Sequence, residues 1–241
     1  MERGVNWTFT PDQFSYAWET TGLDWHPYPL SVWPTAQTED ERAQHLRELK
    51  PWVERAVTAD LEVAFRILAQ PDLRITVFGL EGPDESRPIR VLAASEGRTG
   101  VVAAQQEGRH GKVWVSLGQL NTLLLRTVAS IPPEPAGREP ARTERLSDVQ
   151  RDGRDVIVTS VATKSVAAQI RQLAAKPRRR TGNVLVATRL SEGIERPDRI
   201  LSWIDVEGDG RYIIRAREEV DVIPATRDVF VEQIRRLIRE E

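Results

Sequence analysis

The chain has 241 residues, of which 40% are hydrophobic and 29% are charged, and its formal net charge is −2. This composition is typical of a folded globular protein, and the small net charge gives no overall field that would attract nucleic acid or acidic membranes. The chain has no cysteine, which excludes disulfides, thiol nucleophiles and Cys-ligated metal sites.

The first 70 residues predict three helices. Thr10 precedes a proline and Gln13, which is the pattern of a helix N-terminus with the threonine hydroxyl as its cap. A second helix is predicted over residues 38–50 and should end at Pro51, because proline disrupts the interior of a helix. A third helix is predicted over residues 58–70.

Tryptophan is concentrated near the N-terminus, where five of the seven residues of this type fall in the first quarter of the chain. Two interpretations stay open, because such side chains can form an interface patch or can fill the core and its edges. The five are Trp7, Trp18, Trp25, Trp33 and Trp52.

From residue 73 the hydrophobic period changes to two, which indicates strands. Short alternating runs separated by glycine-containing turns predict a four-stranded antiparallel meander. Residues 116–119 then have capping-box spacing and predict the start of a helix with a leucine-rich buried side. The four strands are predicted at residues 73–77, 89–93, 101–103 and 113–115.

Residues 132–140 contain four prolines and predict an extended linker. Beyond it, a short polar helix is predicted over residues 143–150 and a longer one over 163–175. Residues 205–210 resemble a calcium loop, but its twelfth position is Ala216 where glutamate is needed, so a tight hairpin turn is predicted. Four strands and a last helix are predicted at residues 184–188, 200–206, 211–215, 220–223 and 226–239.

Both halves of the chain therefore have the order helix, four strands, helix. An offset of 107 residues aligns Val113 with Val220 and Leu123 with Phe230. Each meander has an open edge that needs cover, so we expect the two edges to pair. The predicted fold is α+β, a quasi-twofold repeat of helix, four-strand meander and helix, with a central twisted antiparallel sheet flanked by two helical bundles. We expect one domain, residues 1–241, built from half-repeats of about 1–131 and 141–241.

The sequence contains no motif of a known catalytic site. Its three histidines, His26, His45 and His110, are not at metal-ligand spacing, and no nucleophile elbow, zinc-protease or phosphate-loop motif occurs. We therefore predict a protein that is not an enzyme and needs no cofactor or metal. A hydrolase would require an acid–base pair that converges in a deep pocket only after folding.

One basic cluster, Arg178, Arg179 and Arg180 with the nearby Lys176, leaves two interpretations open. It can contact phosphate, which would make the chain a nucleic-acid-associated or regulatory binding module. It can also be a charged connector between a helix and a strand, which the acidic isoelectric point and the lack of interleaved aromatic residues favour.

Several segments, taken in order, resemble the EspG family of actinobacteria, which is associated with ESX (type VII) secretion. The similarity spans nearly the whole chain. Its segments are residues 7–14 with Trp18, Tyr28-Pro29-Leu30, residues 60–64 and 90–94, the proline-rich centre, residues 200–205 and residues 210–212 before a final amphipathic helix.

The resemblance implies a cytoplasmic, non-catalytic chaperone that covers the apolar tip of helical PE–PPE secretion substrates and keeps them soluble. We expect PE–PPE-like or WXG-type helical partners, no nucleic acid and no membrane insertion, and a homodimer is left open. The chain start lacks the apolar core of a signal peptide, and no run of about 18 apolar residues occurs, which agrees with a cytoplasmic protein.

The resemblance also implies a contact surface on the central sheet and the second-half helices. Helical spacing favours a core position for Val166 and Ile170, so their role in contacts is open. Residues 153–160 depart from the family pattern, because three consecutive β-branched residues predict a strand where a polar helical segment is expected. The candidate contact residues are Ala162, Val166, Gln169 and Trp203, together with Gly82, Asp84 and Ser86 in the loop over residues 79–87.

Overall fold

The computed structural model describes residues 4–82, 84–151, 165–193 and 199–240, and its ten strands form one antiparallel sheet. The first-half strands are β1 (Val5–Phe9), β2 (Leu73–Glu81), β3 (Arg87–Glu96), β4 (Thr99–Gln105) and β5 (Val113–Gln119). The second-half strands are β6 (Arg142–Arg145), β7 (Arg178–Thr188), β8 (Arg199–Val206), β9 (Gly210–Ala216) and β10 (Glu219–Pro224). Across the sheet the order is β1-β5-β4-β3-β2-β7-β8-β9-β10-β6.

Seven α-helices lie in the described part of the chain. None of them is long and apolar enough to span a membrane. The helices are α1 (Pro11–Trp18), α2 (Glu39–Ala56), α3 (Ala59–Ala69), α4 (Leu123–Ala129), α5 (Leu146–Gln150), α6 (Val166–Ala174) and α7 (Arg227–Arg239).

The α+β class and the single antiparallel sheet are confirmed, with four differences in detail. Helix α2 continues through Pro51 to Ala56, and none of its side chains is buried. The Arg47 carbonyl, to which the proline has no N–H to donate, is therefore open to a hydrogen bond from solvent. Residues 116–119 end strand β5 rather than capping a helix. Strands β1 and β6 were not predicted, and β7 begins at Arg178, so the basic cluster lies on a strand. The predicted strand over residues 153–160 lies outside the described residues.

The two halves of the sheet join through β2 and β7. Their ladder has nine residue pairs, from Leu73 opposite Thr188 to Glu81 opposite Arg180. We call this pairing the seam. Because both strands belong to antiparallel meanders, the seam gives the edge of each half a partner, and β1 and β6 are the outer edges among the described strands.

Helices cover the two faces of the sheet unequally. On one face, which we call the inner face, α4 and α7 pack together over the seam against residues such as Ile75 and Val184. On the opposite face, α1, α2 and α3 cover the outer first-half strands around Val101 and Val115. Helices α5 and α6 cover the outer second-half strands around Val222 on that same face. The helices thus form three groups rather than the two predicted bundles.

A tryptophan lies flat across the seam on the inner face. Gly79 of β2 and Gly182 of β7 are directly paired, and the Trp203 ring occupies the space that their side chains would fill. A Cβ atom at Gly182 would lie 2.1 Å from Trp203 Cη2. The ring also packs against Phe230 of α7, with centroids 5.9 Å apart. Its Nε1 makes no hydrogen bond with the described residues, so packing alone holds the ring.

An ion network continues from the tryptophan along the inner face. Asp205 is fully buried and binds Arg211 through two hydrogen bonds of 2.7 and 2.8 Å. Arg180 connects this pair to the seam, because its guanidinium lies 2.8 Å from Glu81, 2.9 Å from Glu134 and 3.3 Å from Asp205. Buried charges are tolerated only when they are paired in this way.

The proline-rich segment, residues 132–140, is bound to the second half rather than free. Arg211 donates its backbone N–H to Pro135 O at 2.7 Å and accepts from Gly137 N at 3.0 Å. Its Nη2 also donates to Pro132 O. The segment therefore crosses the end of the β8–β9 hairpin as an added length of backbone, and it is not a flexible linker.

Charged groups hold the end of the same segment. Glu139 pairs with Lys176, and this ammonium lowers the pKa of the Glu139 carboxyl. Burial alone would raise the pKa of Asp209, but hydrogen bonds from Arg138 N and the Tyr212 hydroxyl lower it. Burial, followed by the bond to Asp209, raises the pKa of Tyr212 to about 12.

We predict that Gly182→Ala destabilises the fold, because the new methyl group must displace a rigid, buried indole. Overpacking of this kind costs about 1–3 kcal/mol. Chemical denaturation measures the free energy of unfolding, and Asn183→Ala at the adjacent, outward-facing position serves as the matched control. In a Trp203→Leu background the same glycine substitution should cost much less, and equal costs in both backgrounds would contradict the proposed clash.

Acid should weaken the attachment of the proline-rich segment. The folded-state pKa values of Glu139 and Asp209 lie below their unfolded values, so their contribution to stability is present above the unfolded pKa and is lost as the pH falls through the folded pKa. The loss should therefore develop below about pH 4. Lys176→Met should reduce stability at neutral pH by less than about 1 kcal/mol and make unfolding less dependent on acid. If Lys176→Met unfolded with the same dependence on pH as the unmodified chain, this assignment would be contradicted.

Candidate partner-binding surface

The centre of the face opposite α4 and α7 is not filled by any of the three apolar clusters of the described residues. We call this region the central stripe. Cross-strand register brings its members together on β2, β7 and β8, because directly paired residues point to the same face. Ile200 is 54% exposed, and Phe78, Leu80 and Leu185 are half-buried. The stripe consists of Thr76, Phe78, Leu80, Thr181, Asn183, Leu185, Ile200 and Ser202.

A loop of the first half borders the stripe with an aromatic side chain. Tyr28 is 62% exposed, and its ring centroid lies 6.1 Å from that of Phe78. The loop is fixed at Ser31, whose backbone N–H donates to Gln105 Oε1 at 2.8 Å and whose carbonyl accepts from Gln105 Nε2. An anchored loop presents its tyrosine at little cost in conformational entropy.

The tryptophans divide between the two interpretations that the sequence left open. Trp18 is buried beside Phe14 and Phe65, and Trp52 packs at the edge of the same cluster. Trp25 and Trp33 are exposed on the loop that carries Tyr28.

Helix α6 borders the second half of the open face. Ile170 is buried, as helical spacing predicted, but Val166 is 37% exposed, so its predicted core position is wrong. Val166 is the first residue of the helix, where the side chain extends past the covered strands. Gln169 accepts a hydrogen bond of 2.7 Å from Arg142 Nε. Ala162 lies outside the described residues.

The loop between β2 and β3 lies at one end of the stripe, two residues beyond Leu80. Gly82 has a left-handed backbone, with φ of 95°, and donates its N–H to Arg179 O at 3.0 Å. Asp84 accepts from the hydroxyl of Ser86 at 2.9 Å, and this bond lowers the pKa of its carboxyl. Gly79, which we expected in the loop, belongs to β2.

Trp203 does not reach the surface. It is 0% exposed on the inner face, so it cannot contact a partner of the folded chain. Its neighbours Ser202 and Ile204 face the opposite side, because side chains alternate along a strand. The sequence did carry a signal for the stripe, since β2 has apolar residues at consecutive positions, Val77 and Phe78, and such a strand is apolar on both faces.

The basic cluster is largely neutralised. The Arg180 side chain is only 11% exposed and contacts three carboxylates. Burial opposes its charge, but the bonds to Glu81 and Asp205 outweigh burial and raise its pKa. Arg179 lies 3.7 Å from Glu134, and Arg178 donates to a backbone carbonyl. Paired guanidiniums are poor phosphate ligands, so the cluster gives no support for nucleic-acid binding.

A cavity of about 390 Å³ between α1 and α2 contains His26 and His45 on its walls. Burial lowers the pKa of His26. Neither histidine is hydrogen-bonded or paired to a carboxylate within the described ranges, and no cluster of metal-binding side chains occurs in them. Asp12, on the same wall, is already bonded to Thr35. The cavity offers no acid–base pair.

Comparisons with known proteins agree with this architecture. The chain is similar in fold to the type VII secretion system chaperone EspG5 of Mycobacterium tuberculosis, solved in complex with the PE25–PPE41 dimer. The TM-score is 0.59 at 15% identity, over 96% of this chain and 95% of that one. None of the curated proteins matches the sequence. The sequence model of the EspG family matches residues 10–236, so the chain belongs to the EspG family.

Proposed function

We propose that this chain is a cytosolic, non-catalytic chaperone that binds helical type VII secretion substrates of the PE–PPE kind and keeps them soluble for export. Family membership supports this role, as does the likeness in fold to a chaperone that was solved with a PE–PPE dimer. The central stripe is the proposed contact surface.

The observation that carries the proposal is the apolar stripe left between two groups of helices. Phe78, Leu185 and Ile200 expose apolar surface on rigid central strands, and Tyr28 extends that surface at one side. A contiguous apolar patch on a folded protein is typical of a site that another protein covers. A helical tip suits such a surface, because its apolar residues project on one side at intervals of three or four.

The exposed loop and helix beside the stripe supply the proposed outer contacts. Gly82, Asp84 and Ser86 would meet the partner at one end of the stripe, and Val166 with Gln169 would meet it along the second-half side. WXG-type helical pairs present a similar shape and are included among the proposed partners. A homodimer would have to leave this surface free.

We further propose that the domain, residues 1–241, is a quasi-twofold repeat of two halves, about 1–131 and 141–241, joined by residues 132–140. Strand order supports the repeat. Outward from the seam the order is β2, β3, β4, β5, β1 in one half and β7, β8, β9, β10, β6 in the other. The last helix of each half, α4 or α7, packs on the inner face.

We predict that Ile200→Glu abolishes substrate binding, because it introduces a charge at the most exposed apolar side chain of the stripe. Loss of a central contact of this kind should weaken the complex by at least about 30-fold, or about 2 kcal/mol. The test is co-expression with a PE–PPE-like helical pair from the same genome, followed by size-exclusion chromatography and calorimetry of the purified complex.

Leu125→Glu is the matched control, since Leu125 is also exposed but lies on α4, on the other side of the sheet. It should bind like the unmodified chain. A substrate pair that stays aggregated with abundant chaperone would contradict the proposed function. Equal loss of binding in both variants would contradict the proposed surface.

A further inference from the structure

Arg90 is a cation beside the central stripe that no carboxylate balances. Its side chain points to the same face as Phe78, its cross-strand partner, and its Cζ lies 6.0 Å from the centroid of that ring. Within the described residues the guanidinium makes no ion pair and no hydrogen bond. Burial lowers the pKa of Arg90, against a smaller opposing effect of Tyr28, so the charged form is under-solvated where it stands.

The acidic residues near Arg90 face other cations: Glu107, which lines the same cavity as Arg90, lies 4.0 Å from Arg87. On this face, the positions of β2, β7 and β8 that form the stripe are apolar, hydroxyl-bearing or amide-bearing. The nearest acidic residues on β2 and β3 are used elsewhere. Glu81 faces the other side of the sheet and pairs with Arg180, while Glu96 pairs with Arg66 of α3.

The geometry of the guanidinium suits one kind of ligand. A guanidinium that lies over an aromatic face keeps its N–H donors in its own plane, where they remain available. Two parallel N–H groups match the two oxygens of a carboxylate, and such charge-assisted bonds are the strong ones in partly desolvated sites. Asn183 lies beyond Phe78 in the same cross-strand row; its Oδ1 accepts from the Ser202 hydroxyl at 2.7 Å, which leaves its amide N–H groups to donate.

We propose that Arg90 is the charged anchor of the central stripe and that the bound helical tip carries an aspartate or glutamate beside its apolar residues. The inference rests on the proposed function and adds the chemistry by which the site selects among apolar helices. An apolar tip without an acid would leave Arg90 desolvated and unpaired, which disfavours that partner.

The test uses the full chain and the same PE–PPE-like pair as the test of the proposed function. Arg90→Gln should weaken the complex by about tenfold or more, because it removes one partner of a desolvated charge pair. Arg90→Lys keeps the charge but cannot form two parallel hydrogen bonds. Its affinity for the pair should fall between those of the unmodified chain and of Arg90→Gln. Arg74→Gln is the matched control, since Arg74 lies on the same face at the far end of β2, and it should change affinity less than about threefold. A thermal melt of each variant confirms that the fold is intact.

A charge exchange identifies the partner group. Arg90→Glu should abolish binding, and replacing one acidic residue of the substrate tip with arginine should restore it in that variant alone. If Arg90→Gln binds as tightly as the unmodified chain while Ile200→Glu does not bind, the anchor is wrong and the proposed function stands. If Arg90→Gln weakens binding but no charge exchange at an acidic residue of the tip restores binding to Arg90→Glu, the proposed carboxylate partner of Arg90 is wrong. If the unmodified chain does not bind the pair, both proposals fail.

Discussion

The contact of the Trp203 indole with two glycines is the constraint on which the arrangement of this chain depends. Gly79 and Gly182 face each other where the halves meet, and only residues without a side chain let an indole lie against the backbone of both strands. The ring is then held from outside by Phe230 of α7. This contact packs α7 and the seam together in the middle of the sheet. The paired charges of Asp205, Arg211 and Arg180 extend the packed unit to the ends of these strands.

This packing explains why the opposite face is bare at its centre. The last helices of the two halves, α4 and α7, both lie on the inner face and meet over the seam. The remaining helices lie on the other face, but each group covers the outer strands of its own half. On the opposite face, β2 and β7 are therefore left open around Phe78 and Leu185, although these residues make the strands apolar on both faces and Thr76 beside them is buried. The open region at the centre of this face follows from how the seven described helices are distributed over one sheet.

Much of this fold could be predicted from local pattern, and the remainder depends on long-range packing. Alternating residues predicted β2 to β5 and β8 to β10, and the apolar spacing of α7 was sufficient to identify it. Strand β1 was not predicted, because its partner β5 lies about a hundred residues away and nothing in Val5–Phe9 indicates that pairing. Trp203 was taken for a contact residue because its side of the sheet is decided by Gly182 opposite it on β7, which a reading of β8 alone cannot reveal. The stripe was missed for the same reason, since its members come from three strands.

Affinity and selectivity have different sources on the proposed surface. Apolar burial is non-directional and roughly proportional to area, so Phe78, Leu185 and Ile200 would accept any apolar helical tip of suitable width. Discrimination between helical tips then depends on the few polar groups that lose water on binding and need hydrogen-bond partners in the complex. Arg90 and Asn183 are such groups, since each has donors that no described residue uses, and leaving them unpaired in a closed interface costs more than one lost apolar contact returns. If the stripe binds substrate as proposed, changes in the polar residues around it would be sufficient to alter which helical tips this chain accepts, without a change in the fold.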